Sequence, residues 1–277
     1  MPKRNSSVVG REFGQGVRDA VEQSGMTQRG LAEVLDWQEA KLSDAVNGKG
    51  GVSELDVIRL LSYCRVPHAE LDRMVALYRE SREKGWLLFP EDGVPDQLRS
   101  LVDQERLASK VTVWTMNVLP GLLQIAGYIR EVAEKSSRKL LPADIDALIR
   151  AKLERQAILR PGKEFFFYVH EQALRLPVGG QLLMRTQLNH IMVMLVRQYI
   201  TFRIVPTAIG AHAGLASNFT LLNYDRFEPV VYLENLNTGL FLEDKASLDM
   251  YADLVKALDR DALDAEQSRG LITSMLS

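Results

Sequence analysis

The stretch TQRGLAEVLDWQEAKLSDAVNGK, residues 27–49, limits the fold more than any other part of this chain. It holds two short helical periods with one turn between them. Thr27 offers a hydroxyl to cap a helix in which Leu31, Ala32 and Leu35 share a face. Asp36 stands at the turn, where a left-handed backbone is wanted and aspartate tolerates it better than most side chains. The second period, from about Gln38 to Val46, buries Leu42 with Ala45 or Val46 and stops at Asn47-Gly48. Two such helices crossing at roughly 90–120° need a small residue where they touch, and Ala32 supplies it.

Three more helices flank this pair. Phe13, Val17, Ala20 and Val21 repeat at helical spacing ahead of Gly25. Behind it, SELDVIRLLSYCR starts at a Ser53 cap and stops before Pro67, and HAELDRMVALYRESREK carries Leu71, Met74, Val75 and Tyr78 on one stripe. The five-helix order, from about Gly10 to Gly85, resembles the Cro/repressor-like (XRE-type) helix-turn-helix domain over residues 10–70. The resemblance implies double-stranded DNA as a partner, with TQRGLAEVL as the positioning helix and QEAKLSDAV as the recognition helix. It implies that Gln28 touches phosphate and that Gln38, Glu39, Ala40, Lys41, Ser43 and Asp44 face the major groove or its edge.

Charge complicates that implication. Residues 1–68 hold nine Lys/Arg and nine Asp/Glu, and the whole chain is formally −2, so no global field draws it to nucleic acid. Glu39 and Asp44 stand where a reader usually keeps neutral or basic groups; they either accept from cytosine N4 or are solvated bystanders. Lys3, Arg4, Arg11, Arg29, Lys41 and Lys49 must then offset their repulsion of phosphate.

KGWLLFPEDGVPD, Lys84 to Asp96, mixes glycines and prolines with Trp86, Leu87, Leu88 and Phe89; a flexible linker would lack that apolar cluster, so a partly packed hinge is expected over residues 85–97. Residues 1–84 and 98–277 are then separate domains. A helix is expected from Asp96 to Lys110, a strand at KVTVW, a helix opening at Pro120, a long helix from about Pro142, and helices near Gly180–Gln198, Lys245–Leu258 and Ala265–Leu276. Strands are expected at EFFFYV, ITFRIV, SNFTLLNY, PVVYLEN and GLFLE, with a hairpin through DRFEP. The fold class is therefore an all-α helix-turn-helix domain followed by an α+β domain.

Several ordered motifs of the second half, WTMNVLPGLLQIAGYI, ERQAIL, HEQALRLPVGG, FRIVPTAIGAHAG and NFTLLNY with VVYLEN, resemble the carboxy-terminal domain of actinobacterial regulators described as WhiJ-like or antitoxin-like. That resemblance implies a ligand-sensing or partner-binding role, the partner being a small protein encoded nearby. Gln124, Tyr128, Arg155, His212 and Glu234 are the candidate contacts, although Gln124 could simply bond a neighbouring backbone and Glu234 could be an internal partner of Arg155.

Chemistry of other kinds lacks a motif. His68, His170, His190 and His212 have no metal-ligand spacing, and neither GxSxG nor GxxxxGK[ST] occurs, so no catalytic residue, metal or cofactor is expected. Adjacent His170 and Glu171 are expected at a strand end with side chains pointing apart. The single cysteine, Cys64, falls in an apolar helical pattern and reads as a reduced core residue. The longest dense apolar run, IMVMLV at Ile191–Val196, is too short to span a bilayer, and a cytoplasmic location is expected. A homodimer on palindromic DNA is the expected assembly, with helix 5, Trp86–Phe89 and LNHIMVMLV as interface candidates. The rival reading is an antitoxin-like interaction module with weak or lost DNA binding.

Overall fold

The computed structural model describes residues 7–49, 51–81, 86–88, 96–136, 140–235 and 238–277. Lys3, Arg4, Phe89 and most of the expected hinge lie outside the described residues. The chain divides into two compact units, Met1–Leu87 with Asp225–Glu228 and Leu88–Tyr224 with Pro229–Ser277.

The first unit is helical: α1 (Val8–Gln23), α2 (Gln28–Leu35), α3 (Glu39–Val46), α4 (Glu54–Tyr63) and α5 (His68–Glu80). Each start has a local cause. The Ser7 hydroxyl accepts from Gly10 N at 3.0 Å and Thr27 Oγ1 from Gly30 N at 3.1 Å, each filling one orphan donor of a first turn. Ser53 and Asp56 cap α4 reciprocally, Asp56 N donating to the serine hydroxyl at 3.2 Å and Ser53 N to the carboxylate at 2.9 Å. Asp36 takes φ 56° and ψ 46°, the left-handed conformation expected of it. Arg65 also has a positive φ, 56°, which no turn residue in the sequence announces.

Phe13, Val17, Leu31, Leu35, Leu42, Leu60, Leu61 and Met74 close one core among these helices, with Cys64 buried at its edge. Gly48 is required there on two counts. Its φ is +63°, and a Cβ would stand 1.7 Å from the Gly10 carbonyl oxygen. The turn that ends α3 thus lies directly on the backbone of α1.

A three-residue strand, β1 (Trp86–Leu88), precedes the second unit's elements: α6 (Asp96–Leu107), β2 (Lys110–Thr115), α7 (Ala126–Glu134), α8 (Pro142–Arg155), β3 (Glu164–His170), α9 (Glu171–Arg175), α10 (Gln181–Met194), β4 (Ile200–Val205), β5 (Phe219–Asn223), β6 (Val230–Glu234), β7 (Gly239–Leu242), α11 (Lys245–Asp261) and α12 (Ala265–Leu276). Within the second unit the sheet runs β7-β6-β5-β2-β3-β4. From β2 onward one half is parallel, β2 with β3 and β3 with β4; the other half, β5 to β7, is antiparallel. Helical connections explain this split, because parallel neighbours need a crossover of a dozen residues whereas the β5–β6 hairpin does not. Phe165, Phe167 and Phe202 are essentially fully buried, each contributing about 1.5–3 kcal/mol of apolar burial. On one face Trp114, Tyr168, Val205, Phe219, Val231 and Leu258 form a core against which Tyr251, Leu254 and Val255 of α11 pack.

Four expectations need correction. Pro120 does not open α7; it precedes a single 3-10 turn, Gly121–Leu123, and the helix starts at Ala126. The first helix of the second unit ends at Leu107 because Lys110 already pairs with Glu164 and Asn223 in the sheet. The helix expected over Gly180–Gln198 is shorter, Gln181–Met194. His170 and Glu171 do not share a strand end: His170 is the last residue of β3 and Glu171 the first of α9, the His170 Nδ1 accepting from Gln172 N at 3.2 Å. The apolar run at Ile191–Val196 has both characters, with Ile191 and Met194 buried and Val193 and Val196 exposed.

Candidate functional site

In the helical unit the start of α2 and the outer face of α3 form one surface. Gln28, Arg29, Glu39, Ala40, Leu42 and Ser43 line a shallow recess there. Gln38 sits immediately before it as the N-cap of α3, without a side-chain capping bond. Gln28, Arg29, Gln38, Glu39 and Lys49 are exposed, and Lys41, Ser43 and Asp44 are partly so.

Every cation of this surface meets an acid, with different partners and strengths. Arg29 Nε donates to Glu33 at 3.3 Å and lies 3.8 Å from Glu39, whose side chain is 73% exposed. Lys49 Nζ donates to Asp44 at 3.0 Å, five residues earlier, across the turn that closes α3. Lys41 turns away from the recess, its ammonium 2.9 Å from Asp56 at the start of α4 and 4.4 Å from the centroid of the Trp37 ring. The Ser53 amide, and next to it Lys41, hold the Asp56 carboxyl down to about 2. Asp56 was not among the sequence candidates; the S-x-x-D spacing of Ser53 and Asp56 was the signal that could have found it.

The candidate residues of the second unit do not converge on one site. Gln124 Nε2 donates to Leu119 O at 2.7 Å, Leu119 N donates to the Tyr128 hydroxyl at 3.2 Å, and Gln156 Nε2 donates to Gln124 O at 2.7 Å. Gln187 adds two bonds, accepting from Ile125 N at 2.8 Å and donating to Leu123 O at 2.7 Å. The LPGLLQ segment is thus stitched down by its own and neighbouring side chains, and burial raises the Tyr128 phenol above its usual range. Gln124 keeps one unpartnered buried oxygen, Oε1.

Arg155 does not bond Glu234. Its guanidinium forks onto Glu105 of α6, Nε to Oε2 and Nη2 to Oε1, both at 2.7 Å. The Glu105 side chain is fully buried and that of Arg155 is 11% exposed. Burial works against the arginine's charge, and the Glu105 carboxylate more than offsets it; Glu234 contributes only at a distance. Nothing in the spacing of Glu105 and Arg155, fifty residues apart, announces this pair.

His212 does find a setting. It stacks on His170 with ring centroids 5.4 Å apart and 19° between planes, and both rings meet the edge of Trp114. The pair lies at the carboxyl end of β3, beside the parallel strands β2 and β4. His212 Nδ1 accepts from Gly214 N at 3.2 Å, so its neutral form carries hydrogen on Nε2, and that buried nitrogen has no partner. Gly214 fits because any Cβ would meet the Trp114 indole at 2.6 Å. Burial, then the neighbouring His212, pushes His170 below the usual imidazole value. No group of three or more His, Cys, Asp or Glu that could hold a metal occurs among the described residues.

Two family models match. One, described as a helix-turn-helix domain, covers residues 12–74; the other, described as a domain of unknown function (DUF5753), covers residues 98–274. No curated protein matches the chain. No helix among the described residues is long and apolar enough to cross a membrane.

Proposed function

We propose, from the premise that the chain belongs to the DUF5753 family and carries an amino-terminal helix-turn-helix domain, that it is a sequence-specific DNA-binding transcriptional regulator. One observation carries the reading: α2 and α3 present Gln28, Arg29, Glu39, Ala40 and Ser43 on a single surface, with Gln38 and Lys49 exposed beside it. In such a pair the second helix enters the major groove with its amino-terminal residues on base edges, while the first crosses the backbone. A single small head makes few base contacts, so the protein acts as a homodimer on a palindromic site. The XRE-type and WhiJ-like resemblances of the two halves support a cytoplasmic repressor of this kind, and no catalytic step is assigned to it.

The second unit is its regulatory part, taking a small ligand or a small protein partner. The buried, unpartnered Nε2 of His212 favours the ligand, since open sheets bind ligands outside the carboxyl ends of parallel strands. The antitoxin-like alternative, with DNA binding weak or lost, draws on the nine cations and nine acids of residues 1–68.

Fluorescence-anisotropy titration of the full chain with its own upstream DNA and with scrambled DNA, at two salt concentrations, tests the reading. Tighter binding to the native duplex at both salts is expected. Equal, weak and salt-sensitive binding to both would leave the interaction-module alternative. Native mass spectrometry of the purified chain tests the ligand: a carried small molecule lost in His212→Leu is expected, and an identical, unliganded mass for both proteins would count against it.

A further inference from the structure

We propose that the two carboxylates of α3 have separate jobs, Glu39 reading a cytosine through its N4 amino group and Asp44 positioning Lys49 against phosphate; this rests on the DNA-binding reading above. Both acids are legible in the sequence as oddities. The geometry divides them.

Glu39 is the first residue of α3, where a recognition helix meets base edges. Its side chain is 73% exposed and accepts no hydrogen bond among the described residues. Arg29 stands 3.8 Å away, outside hydrogen-bond reach, because its Nε is bonded to Glu33. The arginine therefore lowers the cost of bringing a carboxylate near phosphate while leaving both Glu39 oxygens free to accept. An ionised carboxylate is an acceptor only, and the major-groove edge of cytosine offers a donor at N4. Guanine N7 and O6 and thymine O4 offer acceptors and repel it; adenine sets its N6 donor beside the N7 acceptor, a pair that an amide matches and a carboxylate does not.

Asp44 is placed otherwise. It lies one and a half turns further along α3, and its carboxylate already accepts from Lys49 Nζ at 3.0 Å. Lys49 follows Asn47-Gly48, which end the helix, so the ion pair fixes a cation that the turn alone would leave to swing. An acid committed to a lysine carries no base preference of its own.

The test is selection of bound duplexes from a randomised pool with the full chain, comparing the natural protein, Glu39→Gln, Glu39→Ala and Asp44→Asn, each first checked for an unchanged melting profile. The natural protein is expected to enrich a motif with one cytosine column per half-site. Glu39→Gln should move that column to adenine, with relative affinities changing by about tenfold or more; Glu39→Ala should flatten it. Asp44→Asn should keep every column and change affinity by one common factor. A motif without the cytosine column, a column unmoved by Glu39→Gln, or a column lost in Asp44→Asn would overturn the assignment while leaving the protein a DNA reader. No enriched motif in the natural protein would overturn the DNA-binding reading with it.

Discussion

Arg155 offers the sharpest test of whether the second unit's sequence candidates bind anything, because its geometry makes a quantitative demand. Its two 2.7 Å bonds end on a carboxylate with no solvent exposure, so Arg155→Met leaves Glu105 charged, buried and unpaired. Breaking such a pair from one side costs about 3–5 kcal/mol. With a urea slope of about 2–3 kcal/mol/M for a unit of this size, the midpoint should fall by about 1–2.5 M. Replacing both partners removes the orphaned charge, and such exchanges are often neutral. Arg155→Met with Glu105→Leu should therefore recover most of the loss.

Buried Trp114 lies in the second unit and its emission can follow that unit's transition in the full chain. A ligand-binding arginine behaves differently: its removal leaves the unliganded midpoint near the natural value, and the second substitution repairs nothing. A shift of less than about 0.3 M for Arg155→Met, or a double variant no better than the single one, would refute the reasoning.

Three further outcomes follow from named contacts. Asp56 titrates at about 2 in the folded chain against a usual 3.8, so its stabilisation is complete above about pH 4 and is lost as pH falls toward 2; acid melts of Asp56→Asn should have a shallower fall than the natural protein over that window. Gly48→Ala meets both a positive φ and the Gly10 carbonyl and should cost the helical unit at least about 2 kcal/mol by thermal melting, whereas Gly25→Ala, with open space at φ +70°, should cost about 1 kcal/mol. His170 has a depressed folded value, so the unfolded chain takes up its proton first and the second unit should lose stability as pH drops below about 6.5; urea midpoints at pH 7.5 and 5 should differ less in His170→Asn, which keeps a capping acceptor.

What the sequence disclosed of the fold was what local chemistry decides. Thr27 and Ser53 mark helix starts, Asp36 and Asn47-Gly48 mark turns, and the apolar period marks the buried faces, because each acts within a few residues. The strand segments were legible for the same reason. Their order was not: that β2 has parallel β3 on one side and antiparallel β5 on the other depends on pairings between residues up to 113 apart, such as Lys110 with Asn223. Pro120 misled because proline suits the first turn of a 3-10 segment as well as that of an α-helix. The same division holds for the candidate sites. Gln28, Arg29, Glu39 and Ser43 come together because α2 and α3 are neighbours in sequence, whereas Glu105 with Arg155 and His170 with His212 are joined only by the tertiary fold.

The neutral charge balance of the helical unit, which argued against DNA from composition, loses force once the pairs are known. Arg29, Lys41 and Lys49 each pair with an acid of the same unit, and none of these pairs is fully buried. Arg29 and Lys49 stand in solvent-accessible pairs, each contributing about 0–1 kcal/mol, so releasing both toward phosphate costs at most about 2 kcal/mol, whereas Lys41 stays with the partly buried Asp56. Each phosphate neutralised contributes about 0.9 to the salt slope through released counterions, whatever the protein's net charge. The pairs therefore do less to silence the cations than to fix where they stand: Lys41 against Trp37 and α4, Lys49 across the end of α3, and Arg29 between Glu33 and Glu39. Net charge counts residues, whereas a phosphate backbone responds to where the cations are held.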